Sequence, residues 1–544
     1  MKDTSLPSRT DRRATWTCIG IAAAAGLAWV FAAPPMDVWP LGWVALAPTL
    51  WLIDHAPTAR RASFYAWVSG TVSSLGGFRW IVALLTDQAH LPLPLGILGL
   101  VLLASYNGLV FFFVARAVRA LRKRKWPMAV CAPLALVTFE KLVPMVFPYF
   151  LAITQSSLPI AIQIADITGP YGVSALIAIS AGAIVDGTAR RKKPGLYAAI
   201  AIGVALGYGA VRLRQIDHER ETAPHIKIAL IPSGVQARAD HAPTHDELVK
   251  QLADLQHASA EAEAQGADLV VWSEASYPLA LPHDMRADLP EGNPWRIREG
   301  FTVPAVIGAL VGGGHGAPYN SALLLERDGS IPARHDKVHR VLGSEYNPIL
   351  EMWPGASSWM PQGAGFLAAG DAPHILDVTI RGDTVHIGAM ICFEDILPVA
   401  SLQLGSLHPN LLVNLTEDSW FGPDEPWQHL GLAVFRAVEV RADLVRAVNL
   451  GPSSFVDAGG RVIETAPLAG GTAHPMIVFA ALVEGGHTVY CMIGDTFAWL
   501  CAIPTLFLWL YPWLRRRSWW RPVHAHPSGD SGAKPKRKSV SRKR

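Results

Sequence analysis

Eight apolar runs dominate this chain, and they restrict its fold more than any other feature. A segment of membrane-spanning hydropathy must satisfy its backbone polar groups internally, which leaves only helices or a closed barrel. The runs lie at 15–33, 38–53, 62–85, 93–115, 127–139, 158–185, 196–211 and 496–514. Most approach or exceed the roughly 20 residues a helix needs to cross a bilayer, while 38–53, 127–139 and 196–211 are shorter. They explain a composition of 51% hydrophobic and 17% charged residues over 544 positions, unusual for a soluble protein.

Basic residues alternate with the runs. Arg9, Arg12 and Arg13 precede the first, Arg60 and Arg61 follow the second, and clusters at 122–125, 190–193 and 515–517 follow the fourth, sixth and eighth. The other connections, around Asp37, 87–90 and Glu140, are nearly free of Lys and Arg. The positive-inside rule then places both termini in the cytoplasm and the long stretch between the last two runs outside it. The expected organisation is a cytoplasmic tail 1–14, a bundle of about seven spans 15–214, an extracytoplasmic domain 215–488, a C-terminal transmembrane helix 489–514 and a basic tail 515–544. Pro34 and Pro35, with further spans behind them, mark the first run as an anchor rather than a cleaved signal. The tail ending KPKRKSVSRKR reads as a disordered topology signal in preference to a lipid-binding patch.

From about residue 225 the texture changes. HIKIALIP, ADLVVWSE, AVIGALVGG, NSALLLER, HILDVTI, TVHIGAMICFE, LLVNLTED, DLVRAVNLG, SSFVDAGG and PMIVFAALV predict strands. DELVKQLADLQHASAEAEAQ and PWQHLGLAVFRAVEVRA predict helices with polar faces. This alternation implies a layered α/β domain of one or two sheets covered by helices. There is no Walker loop, no GxGxxG after a strand and no His/Cys ligand spacing, so no metal or cofactor is expected. The net charge of +3 gives no reason to expect nucleic acid. Intramembrane polar residues such as Arg79, Glu140 and Asp166 are too few to suggest a transporter.

The five cysteines show no disulfide pattern: Cys18, Cys131 and Cys501 lie in apolar runs, Cys491 borders one, and Cys392 is alone in the extracytoplasmic region. An isolated cysteine is usually a small buried hydrophobe. Cys392, however, ends the strand-like HIGAMIC where a turn must follow, a position that presents a side chain while the strand stays buried. Glu274 ends DLVVWSE, and Lys337 follows the hairpin-like NSALLLERDGSIPA. Carboxylate, ammonium and thiol are a complete set for acyl transfer: a base, a partner for a tetrahedral oxyanion and a nucleophile. The ammonium is also expected to lower the thiol pKa.

VVWSEAS around Glu274, HDKVH around Lys337 and ICFED around Cys392 resemble the carbon–nitrogen hydrolase (nitrilase) superfamily. SWFGPDEPWQH (419–429), RAVNLGPSS (446–454), GGFRW (76–80), FPYFLAITQ (147–155) and GPYGVSAL (169–176) sharpen this to a resemblance to the apolipoprotein N-acyltransferases, spanning 15–514. The resemblance implies a multi-span helical bundle carrying a nitrilase-like αββα sandwich. It implies Glu274 as general base, Lys337 as oxyanion partner, Cys392 as nucleophile and Glu345, in LGSEY, as a second essential glutamate. Phe393, where tyrosine is more usual, and Glu394 would support the site, and Asn320 and Trp420 also occupy family positions. The implied donor is a membrane phospholipid and the acceptor a diacylglyceryl-modified apolipoprotein. The enzyme is expected as a monomer among the lipids of a bacterial inner membrane, its catalytic domain facing the periplasm. The runner-up is a membrane-tethered amidase that uses water. Pro232 and Gly234 in place of the usual VQGN, His241 near an expected tryptophan, and the SE and LGSEY variants bear on acyl-donor preference. Loops 353–363 and 419–427 are candidate lids.

Overall fold

The computed structural model describes residues 12–235, 243–312, 316–348, 352–353, 367–466 and 473–514. His241, nearly all of the 353–363 loop, the C-terminal tail and most of the N-terminal tail lie outside the described residues. Among the described residues, four helices are long and apolar enough to cross a membrane: Arg12–Ala32, Leu93–Arg122, Pro170–Thr188 and Lys193–Thr222. A fifth is counted if Ala59–Gly77 and Ile81–Gln88, bent by 65° at the turn between them, form one broken span.

These are fewer continuous spans than eight runs predict, and proline and glycine explain much of the difference. The run at 38–53 is cut into Trp39–Ala45 and Ala47–His55. Pro40 and Pro48 sit in the first turns, where a missing N–H is harmless, whereas a continuous helix would lose a bond. The run at 158–185 opens as the single turns Pro159–Ile162 and Ala165–Thr168. It becomes a long helix only after Gly169, at φ +61°, and Pro170. The run at 127–139 is the 15-residue helix Met128–Leu142. The helix beginning at Lys192 continues beyond the expected boundary at 214 to Thr222.

The domain contains twelve described strands: β1 (His225–Ile231), β2 (Leu269–Trp272), β3 (Ala305–Val311), β4 (Tyr319–Leu325), β5 (Ala333–Asp336), β6 (Ile375–Ile380), β7 (Asp383–Ile391), β8 (Leu411–Glu417), β9 (Asp443–Asn449), β10 (Ser454–Val456), β11 (Val462–Thr465) and β12 (Met476–Ala481). They form two six-stranded sheets, ordered β12-β1-β2-β3-β4-β5 and β11-β10-β9-β8-β7-β6. Among the described strands, parallel pairing joins β1–β2–β3 and β7–β8–β9. The sequence pattern passes over β5 and β11, whose ARHD and VIET are only four residues long and largely unburied.

Ile226, Ile228 and Leu230 of β1 face Ile387, Ala389, Val413 and Leu415 in the sandwich interior. The outer face of the first sheet is covered by His245–Ala264 through Leu252, Leu255 and Ala258, and that helix opens with a Thr244–Glu247 capping box. The second sheet differs. Met390, Leu412 and Leu444 pack on the helix Glu425–Val440, and the same core continues into the bundle at Leu151, Ile153 and Ile162. Of that helix's 16 residues only Trp427 escapes burial. Its expected solvent-facing polar side is therefore internal, with Arg436 Nη2 2.8 Å from Glu439 Oε1. Arg441, just beyond it, reaches Asp166 of the membrane half at 2.6 Å.

Candidate active site

Glu274, Lys337 and Cys392 each lie just beyond the carboxyl end of a strand, β2, β5 and β7 respectively, the region where sites form on parallel-stranded α/β sheets. Lys337 is completely buried. Its Nζ lies 3.2 Å from Glu274 Oε1 and 2.6 Å from Glu345 Oε1. Asn320, near the start of β4, donates from Nδ2 to Glu274 Oε1 at 2.6 Å, and its carbonyl accepts from Lys337 N–H at 2.8 Å. Glu345 Oε2 accepts from Val341 N–H at 2.8 Å, closing the loop onto the ammonium. Glu274 Oε1 is thus doubly engaged, and Oε2 has no partner among the described residues.

Cys392 opens the 3₁₀ turn Cys392–Ile396 with φ +49°. A left-handed non-glycine residue costs about 1–3 kcal/mol and persists only where its surroundings over-determine it. Glu394 supplies much of that constraint. Its Oε1 accepts from Val338 N–H at 2.8 Å and His339 N–H at 3.0 Å. Its Oε2 accepts from Ile391 N–H at 2.8 Å and meets His335 Nε2 at 3.2 Å. One carboxylate therefore ties the residue before the thiol to the residues after the ammonium. Burial opposes its ionisation, but His335 and these N–H groups outweigh that and hold Glu394 below the usual carboxylate range.

A second cluster supports the same turn. Asp395 Oδ1 meets His429 Nε2 at 2.6 Å and Oδ2 accepts from Arg446 Nε at 2.8 Å, while His429 Nδ1 meets Asp418 Oδ1 at 3.1 Å. Burial disfavours both charges, yet His429 and Arg446 hold Asp395 low, and Asp395 and Asp418 hold His429 well above its ordinary value. Asp418, Glu425 and His429 bring potential metal-ligand atoms within 4.8 Å of one another. Both imidazole nitrogens already face carboxylates, however, so the cluster has the geometry of a clamped imidazolium.

Burial above all raises Glu274; Lys337 and Asn320 pull it down and Glu345 pushes it further up, leaving it above the usual range. Burial also opposes the charge on Lys337, but Glu274 and Glu345 prevail and raise it well above ordinary lysine. For Cys392, burial and then Glu274 raise the thiol far more than Lys337 lowers it. The ammonium acts in the expected direction, but burial and Glu274 outweigh it. Two carboxylates share one cation, so a thiolate would form against net negative charge. The surroundings of Cys392 thus favour the thiol over the thiolate.

Phe393 meets Phe147 of the membrane half edge-to-face, with ring centroids 5.9 Å apart. Trp420 is half-buried in the turn after β8 and makes no hydrogen bond among the described residues. Its neighbour Phe421 packs on Trp80 at 5.2 Å, and Asp424 pairs with Arg79 at 2.7 Å. The 419–427 segment is therefore tied to the membrane half. Sequence reasoning passed over His335, Asp395, Gln428, His429 and Arg446. Three of these lie inside the recognisable strings SWFGPDEPWQH and RAVNLGPSS, but read singly they look like surface polar residues.

A two-sheet sandwich with this Glu, Lys and Cys at strand ends, carried on a bundle of apolar helices, defines a carbon–nitrogen hydrolase domain joined to a membrane half. The family models agree: the apolipoprotein N-acyltransferase N-terminal domain matches residues 25–183 and carbon-nitrogen hydrolase matches 235–479. An apolipoprotein N-acyltransferase of Geobacter metallireducens is 32% identical over 501 residues, covering 88% of this chain and 92% of that one. The Rhizobium etli apolipoprotein N-acyltransferase is 28% identical over 515 residues, covering 88% and 93%. The chain belongs to the apolipoprotein N-acyltransferase family. Among solved structures, an amidase from Nesterenkonia sp. aligns over 51% of this chain and 95% of its own at 16% identity, with a TM-score of 0.35.

Proposed function

We propose that the protein transfers a fatty acyl chain from a membrane phospholipid, through a thioester on Cys392, to the α-amino group of an apolipoprotein's N-terminal diacylglyceryl-cysteine. Glu274 takes the thiol proton as sulfur attacks the ester carbonyl. The tetrahedral oxyanion faces Lys337 and the N–H of Phe393, which the 3₁₀ turn itself cannot satisfy. The ester C–O bond breaks, the departing lysophospholipid takes the proton from Glu274, and the thioester remains. The acceptor amine then attacks, gives a proton to Glu274, and the C–S bond breaks as the thiol is reprotonated. Glu345 orients Lys337, while Glu394 and Asn320 hold the groups in register.

The observation that carries this reading is the unpartnered Glu274 Oε2 in a buried cluster that also raises the Cys392 thiol. It leaves a base free to accept one proton. The basic clusters support a periplasmic domain and an inner-membrane location. The test is intact-protein mass after incubation with phospholipid, with and without a diacylated lipopeptide. Phospholipid alone loads one acyl chain on Cys392, and lipopeptide discharges it to the amine. Rapid release of free fatty acid without acceptor would instead establish the amidase-like alternative.

A further inference from the structure

We infer that the membrane-half turn at residues 76–80 positions the nucleophile through Gln428 and Phe147, so that Gln428 and Trp80 are positioning residues of the reaction. This inference rests on Cys392 being the nucleophile. Gln428, buried on the helix Glu425–Val440, spends both ends of its amide on that turn. Its Nε2 donates to Gly77 C=O at 2.8 Å and its Oε1 accepts from Trp80 Nε1 at 3.2 Å.

From there two short routes reach Cys392. His429, the next residue, holds Asp395 in the nucleophile's own turn. Trp80 packs edge-to-face on Phe147 at 5.2 Å, and Phe147 packs on Phe393, the residue after the thiol. The turn contains the break at which the helices Ala59–Gly77 and Ile81–Gln88 of the membrane half meet at 65°, and Arg79 fastens its outer side to Asp424. A left-handed cysteine retains its geometry only while its surroundings hold it, and both routes bear on that turn. Displacement of the 76–80 turn relative to Glu425–Val440 therefore moves the thiol relative to Glu274 and Lys337.

The experiment is single-turnover acylation of the full-length protein in phospholipid nanodiscs, followed by intact mass. Trp80→Phe removes the indole donor and keeps the aromatic packing, while Gln428→Leu removes both bonds. We expect the rate constant at saturating lipid to fall roughly tenfold in Trp80→Phe and up to about 10²-fold in Gln428→Leu, the scale of small misplacements remote from the chemistry. The lipid concentration at half-saturation and the fraction of enzyme loaded stay at wild-type values. A lower loaded fraction with an unchanged rate constant would make the contact purely structural and overturn the inference. Wild-type rate constants in both variants would overturn it too. Should Gln428→Leu fail to fold, Trp80→Phe alone decides. Cys392→Ala separates the two levels, since loading in that variant would overturn the site itself whatever the turn does.

Discussion

The two buried polar clusters that meet at Cys392 differ in charge balance. In one, a single cation, Lys337, is shared by two carboxylates, Glu274 and Glu345. In the other, two cations, His429 and Arg446, converge on Asp395, and Asp418 faces the far nitrogen of His429. The first leaves negative charge in excess, which adds to burial in raising both Glu274 and the thiol, and keeps one glutamate oxygen free. The second stabilises its anion and commits both oxygens of Asp395. An excess of like charge makes a mobile proton, and its compensation makes a fixed strut.

The contrast can be broken at its strongest point with Lys337→Met. If Lys337 is the oxyanion partner proposed above, its loss should slow acyl loading of Cys392 by at least roughly 10²–10³-fold. Loading within tenfold of wild type would show that the cation does not act on the reacting carbonyl.

Asp395→Ala should act on stability first, because it takes the ion-pair partner from the buried Arg446 guanidinium and one of two carboxylates from His429. The expected loss is about 3–5 kcal/mol in denaturant unfolding. An unchanged midpoint would mean that this cluster is no strut.

A subtler test uses pH. Glu345 pushes Glu274 upward, so Glu345→Gln should lower the Glu274 pKa and move the acid limb of the loading rate to lower pH. A move to higher pH would assign the limb to another group. The smallest effect belongs to Arg79→Ala: its pair with Asp424 is partly exposed, side chains 37% and 24%. It should cost about 1 kcal/mol or less, and less still in high salt.

Much of this was legible from sequence because it depends on local pattern. Glu274 and Cys392 stand out since each breaks an apolar strand at its end, and ten of the strand segments carry the apolar runs expected of buried strands. The breaks at Pro48 and Gly169 were harder to read, because hydropathy registers apolar content and passes over ladder interruptions. The Asp395 cluster was illegible for another reason. Its members come from positions 395, 418, 429 and 446, and a charged residue on an amphipathic helix ordinarily faces water. Here the opposite face of Glu425–Val440 meets a membrane bundle, and no periodicity records that.

The uninterrupted core through Glu425–Val440 also bears on how the molecule can be made and handled. A water-soluble fragment cut at both ends of the sandwich would expose the bundle-facing side of that helix, including Leu430, Val434 and Val438, as a broad apolar patch prone to aggregation. In synthesis the N-terminal helices emerge long before this segment. The bundle is thus available as a template on which the last layer of the catalytic domain condenses, and chain order and folding order coincide.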